Sequence, residues 1–131
     1  MLSVLPIQEK DEQKALAELC GAEYNVSLLA YKILDGERPV GLCQFKMSPE
    51  GGNIVTLNGL QGEDCFEYMF MLGRGTLSFM ELCGAKYAYL DDTSVDPVIA
   101  KAIGFSEVGG RMRMEIEGFF NEPCKNCKGN S

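Results

Sequence analysis

The chain has 131 residues, 46% apolar and 24% charged, with a formal net charge of -7. A chain of that length buries about two-thirds of its unfolded surface without staples, and its composition excludes a disordered polymer and a membrane bundle. The 12 basic residues are scattered along an acidic sequence, which excludes a binder that tracks nucleic-acid phosphates with clustered Lys and Arg.

No apolar run approaches the roughly 20 residues that span a bilayer. The first seven residues run straight into Gln8, Glu9, Lys10 and Asp11, too early for a signal peptide. The expectation is a soluble, cytoplasmic protein with neither a membrane nor a nucleic acid as partner. There is no histidine, which removes the usual general base near neutral pH and the commonest metal ligand. Chemistry here has to use carboxylates, Tyr, Cys, Lys or the backbone.

Residues 2–7 suit a short edge strand, because Pro6 cannot donate to a ladder. A helix follows over residues 9–20 with Ala15, Leu16, Leu19 and Cys20 on one face and Gly21 as its stop. Strand two covers residues 25–34, and turn chemistry from Asp35 to Pro39 leads to strand three over residues 40–47. There Cys43, Phe45 and Met47 share one face, with Gln44 and Lys46 on the other. A second turn at residues 48–52 opens strand four, residues 53–60.

Apolar or small residues at 66, 69, 70, 73, 77 and 80 then keep helical spacing across residues 64–83. With strand five at residues 86–91, strand, helix and strand make a right-handed parallel crossover. A short helix over residues 95–103, opened by Asp96-Pro97, and a hairpin of residues 105–108 and 111–116 complete the pattern. Cys20, Cys43, Cys65 and Cys83 fall within these apolar patterns and read as small buried thiols. One domain is expected over residues 1–120, with a polar tail over 121–131. The fold class is mixed α/β, in the order β-α-β-β-β-α-β-α-β-β.

That order, together with Ala100-Lys101-Ala102-Ile103-Gly104-Phe105 ahead of a strand, resembles the GCN5-related N-acetyltransferase (GNAT) superfamily over roughly residues 1–118. The resemblance implies acetyl-coenzyme A held in a splay between strands four and five. Backbone groups of strand four, at Asn58 and Leu60, would hold the pantetheine arm. Gln61 and Gly62 in the next loop would lead to a pyrophosphate on helix amides, a natural anion site. The resemblance also implies a small-molecule amine as acceptor.

Family members usually carry Arg/Gln-x-x-Gly-x-Gly/Ala at that helix start. The nearest match here is Phe70-Met71-Leu72-Gly73-Arg74-Gly75, making Gly73, Arg74 and Gly75 the cofactor-loop candidates. The apolar face runs through Gly73, however, so two readings stand: close packing inside one continuous helix, which is preferred, or a break at Gly73 that starts a shorter helix. Asp64 with Glu67 reads as an acidic capping box that would occupy the anion site itself. Many members place a Tyr general acid in the last helix, where this chain has Ala100.

Asp91 and Asp92, where strand five ends, are the candidate catalytic carboxylates, although Asp-Asp-Thr-Ser is also N-capping sequence. Tyr87 and Tyr89 read as packing residues of the same strand. The tail's Cys124-Lys125-Asn126-Cys127 has the spacing of half a zinc site or a redox pair. A complete zinc site would have to recruit buried thiols, acidic residues or a second subunit, so a homodimer is one arrangement it could serve. An inert tail with no metal is the simpler reading. Two functions follow: an acetyl-CoA dependent N-acyltransferase acting on a small amine, or a catalytically inactive GNAT-like binding domain.

Overall fold

A computed structural model describes residues 1–60 and 65–117. The element order is β1 (Leu2–Pro6), α1 (Lys10–Leu19), β2 (Leu29–Asp35), β3 (Arg38–Ser48), β4 (Gly51–Gly59), α2 (Phe66–Leu82), β5 (Tyr87–Leu90), α3 (Pro97–Ile103), β6 (Ser106–Val108) and β7 (Arg111–Glu115). The strands form one seven-stranded sheet in the order β1-β2-β3-β4-β5-β7-β6. All described pairings are antiparallel except β4 with β5. No helix among the described residues is long and apolar enough to cross a membrane.

Helices α2 and α3 cover one face of the sheet. Their Leu72, Leu77, Met80, Ile99 and Ile103 pack on Ile33, Cys43, Phe45, Ile54, Ala88 and Met114. The other face carries α1 over the β2–β3 side, where Leu16, Ala17 and Cys20 meet Ile7, Ala30 and Leu42. Strand β3 is therefore buried on both faces.

That second layer corrects two expectations. Gln44, on the polar face of β3, is fully buried, and the buried face of α1 is Gln13, Leu16, Ala17 and Cys20, with Leu19 60% exposed. The reason is a polar network inside the α1 layer. Gln13 Nε2 donates to Gln44 Oε1 at 2.9 Å, and Gln44 Nε2 donates to the Glu23 carbonyl at 2.9 Å and to Thr56 Oγ1 at 3.2 Å. Two buried amides that satisfy each other cost little, whereas either alone would be expensive.

Strand β2 starts at Leu29 rather than near Asn25, because Asn25 Oδ1 accepts from the Ser27 amide and hydroxyl and turns the chain. Of the four thiols within the described residues, Cys20 and Cys43 are buried as expected. Cys65 is half-buried and Cys83 exposed, since both lie at the ends of α2 rather than on its packed face.

Candidate functional site

The site begins with one extra residue. Across β3 and β4, Gln44 pairs with Thr56 but Phe45 pairs with Ile54, leaving Val55 as a bulge on β4. A bulge bends its strand and increases the local twist. On the other edge of β4, the parallel ladder with β5 runs only from Gly52↔Ala88 to Ile54↔Leu90, and the Asp91 amide makes the last rung to the Ile54 carbonyl at 2.8 Å. Beyond it the two strands separate.

The gap is a cavity of about 730 Å³. Its walls are Leu57, Asn58, Gly59 and Leu60 from the end of β4, Met69 from α2, Cys20 from the end of α1, and residues 93–97 with Ile99 from the approach to α3. Backbone direction in this stretch follows from one bond. The Leu60 amide donates to the Val40 carbonyl, so alternate residues Leu57 and Gly59 turn their peptide groups away from β3 and into the gap.

The Leu57 rung is filled from within the chain. Its N–H donates to Asp92 Oδ2 at 2.9 Å. The Asn58 carboxamide is best satisfied with its nitrogen toward the same carboxylate, donating to Asp92 Oδ2 at 3.0 Å and to the Leu57 carbonyl at 2.8 Å. Asp92 Oδ1 accepts from the Ser94 amide at 2.9 Å and its hydroxyl at 2.5 Å. Asp92 thus joins the open edge of β4 to the turn before α3. That helix is capped separately by Asp96, whose side chain accepts from the Val98 amide at 2.8 Å, with Pro97 at its first turn.

Asp91 points to the other half of the strand pair. It accepts from Asn53 Nδ2 at 2.9 Å and forms an ion pair with Arg111 at 3.2 Å. The Arg111 guanidinium lies 3.9 Å from the centre of the Tyr89 ring, and Arg113 lies 4.8 Å from that of Tyr87. These tyrosines form stacking surfaces for cations.

Asn58 and Leu60 line the cavity, but their peptide groups face β3, where the Leu60 amide donates to the Val40 carbonyl, so the backbone rungs on the cleft side are Leu57 and Gly59 instead of the expected pair. Gln61 and Gly62 lie outside the described residues. Gly73, Arg74 and Gly75 do not line the cavity. They sit within a continuous α2, about two turns past its start. A Cβ on Gly73 would come within 2.7 Å of Ile103 Cδ1, and one on Gly75 within 2.8 Å of Val4 Cγ1, so these glycines let α3 and β1 approach the helix. Arg74 Nε donates to the Ile103 carbonyl at 2.9 Å, tying α2 to the end of α3.

The start of α2 differs from the expected capping box. Its N-cap is Cys65, with no side-chain cap bond, so Glu67 is at the second helical position rather than the third. Asp64 and Glu63 are outside the described residues, as are Cys124, Cys127 and the rest of the tail. Among the described residues no group of three or more Cys, Asp or Glu side chains could hold a metal ion.

Sequence reasoning missed Cys20, Met69, Thr93, Ser94 and Ile99 as cavity residues. Only the Asp-Asp-Thr-Ser run carried a signal, as turn-forming sequence at the end of a strand.

The strand order, one parallel pair splayed at its C-terminal end, and helices α2 and α3 around the gap make this an acyl-CoA N-acyltransferase fold of the GNAT type. No protein-family model matches the sequence, and no curated protein does. Solved structures do match. A ribosomal-protein-S18-alanine N-acetyltransferase from Escherichia coli superposes with a TM-score of 0.69 at 11% identity, over 89% of this chain and 95% of that one. A variant spermidine N-acetyltransferase from Vibrio cholerae gives 0.71 at 10% identity, over 93% and 98%. The PaiA N-acetyltransferase of Thermoplasma acidophilum, solved with coenzyme A, gives 0.64 at 12% identity, over 88% and 98%. At these identities the likeness is one of fold.

Proposed function

We propose that this chain is a GNAT-type acyltransferase that takes acetyl-CoA between the ends of β4 and β5 and acylates a small amine. The observation that carries the reading is the splay itself: a 730 Å³ cavity opening where the parallel ladder stops, with strand peptide groups turned into it. Ligands of open α/β sheets bind at such carboxyl ends. The residues present suit the group in part. Gly59 offers a backbone rung, and Leu57, Leu60, Met69 and Ile99 offer apolar wall for a pantetheine arm.

Bound there, acetyl-CoA would supply a thioester whose acyl carbon an amine can attack. The chain's own contribution would be orientation, exclusion of water and removal of the amine proton. Asp91 is the proposed proton acceptor and would act through a water, since it is held by Asn53 and Arg111 outside the cavity wall with its side chain 35% exposed, while Asp92 is committed to β4. Gly73, Arg74 and Gly75 are given a packing role in this proposal.

A second reading, a GNAT-like domain that binds without catalysis, is favoured by the filled Leu57 rung and by Ala100 in place of a helix tyrosine. Two measurements separate the readings. For the enzyme, saturating acetyl-CoA raises the melting temperature by several degrees, and free thiol is released only when a small amine is also present. Stabilisation with no thiol release from any primary amine or polyamine tested selects the binding domain, and no stabilisation at all removes both.

A further inference from the structure

Asp92 was placed among the catalytic candidates, yet its oxygens are directed at the cleft wall. Oδ2 sits on the Leu57 N–H, Oδ1 is held by Ser94, and Asn58 covers the Leu57 carbonyl while also reaching Oδ2. Both polar groups of one cleft-facing rung are therefore occupied by side chains of the same chain. The next rung, Gly59, also faces the cavity. A ligand that adds itself to the open edge of β4 through its amides meets a rung already taken, then the Gly59 rung.

We propose that Asp92 with Asn58 is a built-in stand-in for the ligand's amide and sets the affinity of the cleft. This rests on the acetyl-CoA reading above. An entering pantetheine arm must exchange one of its neutral amides for the Asp92 carboxylate on the Leu57 N–H. A hydrogen bond to a charged acceptor is stronger than one between neutral groups, so the exchange runs uphill and holds the natural chain at weak affinity. The same contact gives Asp92 a second consequence. By ending the ladder with a carboxylate instead of a β5 carbonyl, it keeps β4 and β5 apart when no ligand is bound. Asp92 is thus a positioning residue that selects for carriers with an amide-bearing arm long enough to reach past Leu57 to Gly59.

The test is a titration of coenzyme A and acetyl-CoA into the natural chain, Asp92→Asn and Asp92→Ala, with Leu57 observed by its backbone amide resonance. Asn retains one acceptor oxygen without the charge, and Ala removes both. The expected order of affinity is Ala above Asn above natural, with a gain of about ten- to a hundredfold for Ala, the size of one charge-assisted bond. In the free chain the Leu57 amide is protected from exchange, loses that protection in Asp92→Ala, and regains it on addition of coenzyme A.

Equal or weaker binding by both variants, with Leu57 still responding to ligand, overturns the stand-in while leaving the cofactor reading intact. A lowered melting temperature in Asp92→Ala with no change in Kd for Asp92→Asn means that Asp92 only braces the fold, and also overturns it. Failure of all three chains to bind removes the cofactor reading, and the stand-in with it.

Discussion

The two halves of β4 solve opposite problems. From Gly52 to Ile54 the strand is paired on both edges, and from Gly51 onward it is pressed against its neighbours. A Cβ at Gly52 would lie 2.3 Å from Met80 Sδ, and one at Gly51 would lie 2.2 Å from the Tyr87 carbonyl. From Leu57 to Gly59 only the β3 edge is paired by a strand, and the other borders the cavity. One bulged residue, Val55, separates the tight half from the open one. Each half is clasped by one of two successive aspartates, Asp91 on the paired side and Asp92 on the open side. Closeness in the first half positions α2 and β5, and separation in the second leaves room for a ligand.

The largest break in this contrast is expected from Gly51→Ala. The backbone there has φ +140°, and the new methyl would meet the main chain of Tyr87, which cannot rotate away. Strain and overpacking together should cost about 3 kcal/mol or more, read from the urea midpoint at unchanged slope.

Asp92→Ala comes next, because it leaves a cleft-wall amide without its charged acceptor. About 2 kcal/mol of stability should be lost in the absence of ligand. A loss comparable with that of an exposed residue would mean that water replaces the carboxylate at no cost.

Asp91→Ala should cost less, about 0.5 to 1 kcal/mol, since its ion pair with Arg111 is 44% and 35% exposed at the two side chains and is screened by solvent. The loss should shrink further in high salt. If Asp91 proved more costly than Asp92, the assignment of one clasp to each half would be reversed.

The smallest effect concerns thiols. Cys43 pairs in register with Leu57, under the open half of β4, and burial pushes its thiol up to about 12, with the Thr76 hydroxyl acting in the opposite sense. A raised value keeps it protonated and unreactive throughout the physiological range. Native-state alkylation at pH 8 should modify exposed Cys83 and spare Cys43, with no change in melting temperature. Rapid modification of Cys43 would show that the open half of the strand breathes through to the core.

Much of the architecture was legible in the sequence. Alternation and helical spacing depend on neighbours within a few residues, so the element order, the parallel crossover and the continuity of α2 through Gly73 and Gly75 could be read along the chain. Asp96-Pro97 was likewise legible as a helix start. Boundaries were less so: side-chain bonds from Asn25 delay β2, and α2 starts after Cys65 with no side-chain cap bond.

What the sequence by itself determined was therefore the list of elements and their periodicities, while a cleft between strands four and five was expected only from the resemblance that their order carries. Only the tertiary structure decided that Gln44 is interior, that the Val55 bulge opens the sheet, and that Asp91 and Asp92 divide their work between two halves of one strand. Each of these depends on pairings between elements: Gln13 with Gln44 and Leu57 with Asp92 across long stretches of chain, and Phe45 with Ile54 across a hairpin whose register the turn alone does not fix. A hydrogen bond across 30 or more positions leaves no periodic trace in either segment, so no local pattern could announce it.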